Sequence, residues 1–94
     1  MHIMKKRIRI RVRGDVQGVS MRYYVKEFSR EKGIVGWVTN KKDGSVEIVA
    51  EADEEILFAL LELCKKGPKW AHVVKVTEAW EDPTDSYDEF RIIY

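Results

Sequence analysis

The run Arg7-Ile8-Arg9-Ile10-Arg11-Val12-Arg13 alternates strictly between charged and apolar residues and is followed by Gly14. Period two is the pattern of a β-strand, because successive side chains point to opposite faces of a sheet. Ile8, Ile10 and Val12 therefore face a core, and the four arginines face the other side. A strand that is apolar on one face only needs a second layer to cover that face. Gly14 is expected to end the strand.

The pattern then becomes helical over residues 20–32, where Met21, Val25 and Phe28 recur at spacings of four and three, with Tyr24 beside them. Ser20 reads as the N-cap of this helix and Gly33 as its C-terminal glycine. Gly36-Trp37-Val38-Thr39-Asn40 reads as a second strand, Lys41-Lys42-Asp43-Gly44 as a turn, and residues 45–50 as a third strand. In that third strand Val46, Ile48 and Ala50 share one face, while Glu47 and Val49 share the other. Asp53 reads as the N-cap of a second helix, with Glu54 and Glu55 suited to its first turn. Leu57, Leu60, Leu61 and Cys64 form the inner stripe of that helix, and Gly67-Pro68 stops it. A fourth strand over residues 73–80, a polar loop over 81–88 and a short strand over 90–94 complete the chain. This order is the split βαβ, α+β ferredoxin-like sandwich: βαββαβ plus a short C-terminal strand, with two helices on one face of an antiparallel sheet. A single domain is expected over residues 1–94, with residues 1–5 disordered because Met4 offers an alternative start.

Composition narrows the function classes. The 17 basic and 16 acidic residues leave a net charge of +1, which argues against a dedicated nucleic-acid binder. RNA-binding sheets of this topology stack bases on aromatic residues of the third strand. Here that strand offers Ser45, Glu47 and Val49 outward, so the arginine stripe is expected to pair with acids such as Glu47. No apolar run approaches the ~20 residues of a membrane span. The start of the chain lacks a signal-peptide pattern. Cys64 is the single cysteine, so no intrachain disulfide forms, and a cytoplasmic setting is expected. His2 and His72 are too few and too scattered for a metal site.

The topology also makes a prediction about chemistry. Strands one and two are joined by a helix and run in the same direction, so their C-terminal ends share one sheet edge. The loop from Gly14 to Arg22 and the residue Asn40 both lie there. Glycines at 14 and 18 let backbone N–H groups turn inward as an anion nest, and the next helix points its positive dipole end at the same place. Arg22 adds a guanidinium fork that matches a phosphate. Asn40 can orient a water, since an amide both donates and accepts. From glycine spacing alone a plain turn with a solvated arginine is the commoner outcome, and an asparagine beside a hairpin is commonly turn chemistry.

Taken together, these blocks resemble the acylphosphatase family. The run Gly14-Asp15-Val16-Gln17-Gly18-Val19-Ser20-Met21-Arg22 is similar to its G-x-V-Q-G-V loop followed by arginine. Gly36-Trp37-Val38-Thr39-Asn40 with Asp43-Gly44-Ser45-Val46-Glu47 is similar to its second block. Gly67-Pro68, Trp80-Glu81-x-Pro83 and Phe90-x-Ile92-x-Tyr94 also fit, so the resemblance covers residues 6–94. It implies a hydrolase that splits the carboxyl–phosphate bond of acyl phosphates without metal or cofactor. It further implies that the backbone amides of Val16, Gln17, Gly18, Val19, Ser20 and Met21, with the Arg22 side chain, hold the phosphate. Asn40 would hold the attacking water, and the substrate phosphate would accept the proton. Inorganic phosphate or sulfate is the expected site ligand and a monomer the expected state, with no nucleic-acid or membrane partner.

The chain departs from the family pattern at two places. Ser20-Met21 stands where the family has Gly-Phe, and a positive φ at position 20 would strain a serine by about 1 kcal/mol. Ala52 stands where many relatives have glycine. The alternative function is a non-catalytic anion- or protein-binding ferredoxin-like domain with a degenerate loop. An RNA-binding domain of the same topology is a third hypothesis.

Overall fold

A computed structural model describes residues 5–18 and 20–94. Of the expected disorder over residues 1–5, residues 1–4 lie outside the described residues, as does the amide of Val19, while Lys5 is ordered as the first residue of β1, paired with Asp53. The elements follow in the order β1 (Lys5–Asp15), α1 (Met21–Glu31), β2 (Val35–Asn40), β3 (Val46–Asp53), α2 (Glu54–Lys66), β4 (His72–Glu81) and β5 (Phe90–Ile93). They build one five-stranded sheet in the order β4-β1-β3-β2-β5, with both helices packed on it. No helix among the described residues is long and apolar enough to cross a membrane.

The alternation in β1 does what period two requires. Ile8, Ile10 and Val12 are fully buried in the core with Val46, Ile48 and Ala50 of β3. Met21 and Val25 of α1, and Leu57, Leu60, Leu61 and Cys64 of α2, close over them. Burial pushes the Cys64 thiol up to about 12, so it packs as a small apolar group. On the open face the arginines meet acids across the strands. Arg9 and Arg11 donate to Glu47 at 3.1 and 3.3 Å, and Arg7 and Arg9 to Glu81 at 2.9 and 3.3 Å.

Four expectations change. The strand does not end at Gly14 but continues to Asp15, with a register shift against β4 between Arg13 and Gly14. Gly14 sits there at φ 133°, where an added Cβ would lie 2.2 Å from the His72 carbonyl oxygen. The glycine is thus a bulge residue that lets two backbones approach. The sheet is not wholly antiparallel, because β5 pairs parallel with β2. The loop after β4 carries the chain across to the far edge of the sheet, and β5 arrives there in the direction of β2. The last two changes concern the caps. Ser20 and Asp53 occupy the N-cap positions, but neither side chain makes a capping hydrogen bond.

The loop between β4 and β5 is fastened by a buried carboxylate. Glu51 is fully buried and accepts hydrogen bonds from the Thr84 N–H at 2.9 Å, the Thr84 hydroxyl at 3.0 Å and the Asp85 N–H at 3.1 Å. Arg7 faces it at 3.4 Å. This anchorage fixes where the chain re-enters the sheet as β5.

Candidate active site

Antiparallel pairing of β3 with both β1 and β2 makes those two strands parallel, and their C-terminal ends emerge at one edge. A pocket of about 200 Å³ opens there. Val16, Gly18, Ser20, Met21 and Arg22 line one side of it, and Asn40, at the end of β2, lines it as well. The loop and the asparagine singled out by sequence therefore share one cavity. No His, Asp or Glu side chain is among its lining residues.

The loop backbone turns through two left-handed residues. Gly18 has φ 76° and Ser20 φ 65°, both left-handed. Nothing lies within 4 Å of a Cβ built on Gly18, so the glycine serves the backbone turn rather than close packing. Backbone N–H groups of Gln17, Gly18 and Ser20 find no acceptor among the described residues. Such free amides, at the N-terminus of α1, are donors available to an oxyanion. The position-20 expectation is thereby answered: the serine does adopt the positive φ, without a cap bond in return.

Arg22 stands in the first turn of α1, half-buried, with no carboxylate partner among the described residues. Its guanidinium carbon lies 4.7 Å from the centroid of the Tyr94 ring, which holds the fork without consuming its N–H donors. The amide oxygen of Asn40 is buried and has no hydrogen-bond partner among the described residues. A buried acceptor left unpaired costs on the order of 1–3 kcal/mol. A donor that reached this oxygen, such as a water, would relieve that cost.

Gln17 is placed differently from the rest. It does not line the pocket, and its side-chain amide donates to the carbonyl oxygens of Lys41 and Ser45 at 2.7 and 2.9 Å. The loop before α1 is in this way tied to the turn that follows Asn40. The turn is itself braced. The Ser45 hydroxyl and N–H donate to Asp43, and Arg13 donates to the same carboxylate at 3.0 Å. These bonds, the Ser45 hydroxyl first, hold the Asp43 carboxyl well below the usual carboxylate range.

Four lining residues, Tyr23, Lys26, Ile92 and Tyr94, escaped sequence reasoning. Lys26 had a legible signal, since it follows Arg22 by four positions on the same helix face. Ile92 and Tyr94 had none, because only the parallel pairing of β5 on β2 brings them there. Among the described residues, no group of three or more His, Cys, Asp or Glu side chains is placed to hold a metal ion.

Known proteins share this fold. The family model described as acylphosphatase matches residues 8–92. An acylphosphatase of Caldanaerobacter subterraneus subsp. tengcongensis is 45% identical over 89 residues, which is 95% of this chain and 99% of that protein. One of Salinibacter ruber is 38% identical, covering 94% of this chain and 93% of the relative. The crystal structure of acylphosphatase from Bacillus subtilis superposes with a TM-score of 0.90 at 35% identity, covering 97% of this chain and all of the other. Whole-length relatives and a shared fold thus join the two motif blocks at one sheet edge, and the chain belongs to the acylphosphatase family.

Proposed function

We propose that this enzyme hydrolyses acyl phosphates in the pocket between the Gly14–Arg22 loop and Asn40. The free loop amides and the Arg22 guanidinium hold the phosphoryl oxygens, and Asn40 holds the attacking water. The observation that carries this reading is the buried amide oxygen of Asn40, in the same cavity as Arg22, with neither a hydrogen bond to Asn40 Oδ1 nor a carboxylate partner for Arg22 among the described residues.

The reaction makes few demands of the protein. Water oxygen bonds to phosphorus, the bond from phosphorus to the acyl oxygen breaks, and its electron pair leaves on the carboxylate. That leaving group is already a weak base and needs no proton. The water's proton passes to a non-bridging phosphate oxygen, in keeping with a pocket lined by neither imidazole nor carboxylate. Positioning and charge stabilisation then carry the catalysis. This division of labour calls for no metal or cofactor. The site is built from the loop, α1, β2 and β5 of one chain, which supports action as a monomeric single domain. The one-cysteine composition supports a cytoplasmic setting. Inorganic phosphate is expected to compete with substrate at the loop.

Hydrolysis of benzoyl phosphate tests the reading. The wild type should turn it over. Arg22→Ala and Asn40→Ala should each lose about 100-fold or more in kcat/KM, with the far-UV spectrum unchanged, as for loss of a preorganised transition-state donor. Turnover by either variant at the wild-type rate, or none by the wild type, overturns it.

A further inference from the structure

The pocket holds more positive charge than a phosphoryl group calls for. On the reading above, the loop amides and Arg22 take up the phosphoryl group. Lys26 lines the same cavity one helical turn further along α1, about 6 Å from Arg22 along the helix axis. Its ammonium lies 5.1 Å from the centroid of the Tyr23 ring. Like Arg22, it has no carboxylate partner among the described residues, and no acid lines the pocket. Ile92 and Tyr94 supply an apolar and aromatic wall beside it.

We propose that Lys26, held over Tyr23, is a specificity-determining residue that selects acyl phosphates whose acyl group carries a second anionic group. A short carbon chain spans the distance from a phosphoryl group at Arg22 to an anion at Lys26, with its methylenes against Ile92 and Tyr94. The inference rests on the phosphate being held by the loop and Arg22. Lys26 takes no part in the bond-breaking step, so its contribution belongs in KM and not in kcat.

The test compares succinyl phosphate with butyryl phosphate, which has the same carbon chain without the second carboxylate. Wild-type kcat/KM is expected to favour succinyl phosphate about tenfold, as one charge-assisted hydrogen bond in a partly closed site supplies. Lys26→Gln should abolish the preference through KM, Lys26→Arg should keep it, and Lys26→Glu should reverse it. A third substrate, 3-phosphonopropionyl phosphate, puts a phosphate-sized anion where succinyl phosphate has its carboxylate, and preference for either over butyryl phosphate supports the proposal. Equal effects of Lys26→Gln on charged and neutral substrates, or no wild-type preference while both are hydrolysed, overturn this inference and leave the phosphate site intact. A wild type that hydrolyses none of the three overturns the phosphate-site reading itself.

Discussion

Asn40 owes its placement to its neighbours rather than to bonds of its own amide. It closes β2, its backbone pairs with Val46, and the next turn is clamped by Asp43, Ser45 and Gln17. Gln17 links the loop before α1 to the turn that follows Asn40. The motif made Gln17 visible, but not the direction of its side chain, which depends on where the β2–β3 turn comes to rest. Ser20 is the residue whose local chemistry conflicts with its conformation. A serine at φ 65° without a capping bond carries strain that glycine would not. Ser20→Gly relieves that strain, while glycine gains freedom in the unfolded chain, which offsets part of the benefit. A net stabilisation of about 0.5 kcal/mol is expected, read as a higher urea midpoint at unchanged slope. A lowered midpoint would show that the serine hydroxyl contributes something that the backbone geometry does not display.

At the scale of elements, β3 is the strand on which the open face depends. Glu47 receives Arg9 and Arg11, and Glu51 receives Thr84, Asp85 and Arg7. Burial alone would raise the Glu51 carboxyl, but the Thr84 and Asp85 bonds and the Arg7 guanidinium outweigh it and leave it below its ordinary 4.5. Glu47 is lowered in the same way, against its own burial, by Arg9 and Arg11. Both folded values lie under the unfolded one, so the unfolded state binds protons first as pH falls. The stability these groups contribute is therefore complete above about pH 5 and is lost as pH drops through 4.5 and below. Glu51→Gln presents an amide to donors that need an acceptor and leaves Arg7 short of a charge. It should destabilise the protein by about 3 kcal/mol at pH 7 and flatten the decline of stability in acid. Urea titrations of both proteins at pH 7 and pH 4 check this, and an equal acid loss in both would refute it. The strand itself was legible in its alternation. Its partnership with the residue 82–89 loop was not, because no local pattern marks a carboxylate that accepts from a loop 33 positions away.

The whole molecule brings together three segments that the chain keeps far apart: the Gly14–Arg22 loop, Asn40 and the C-terminal strand. Two of them were readable from period, glycine placement and the rule that strands joined by a helix run in parallel. The third depended on β5 joining the far edge of the sheet beside β2, and a strand of four residues carries too little pattern to announce its direction. That edge placement has a consequence for the site. Thr39, next to Asn40, donates its hydroxyl to the Ile93 carbonyl at 2.7 Å, and Tyr94 follows directly with its ring under the Arg22 guanidinium. Tyr94 is otherwise 92% exposed, so little packing is lost when it is truncated. Tyr94→Ala should therefore leave global stability within about 0.5 kcal/mol while freeing Arg22 to sample more rotamers. An exposed cation–π contact contributes about 0.5–1 kcal/mol, which corresponds to a two- to fivefold rise in KM for benzoyl phosphate and a similar weakening of phosphate inhibition. Tyr94→Phe keeps the ring and should behave as wild type. If Tyr94→Phe and Tyr94→Ala fall together, the hydroxyl matters rather than the π face; if neither moves, Arg22 is held by the helix alone.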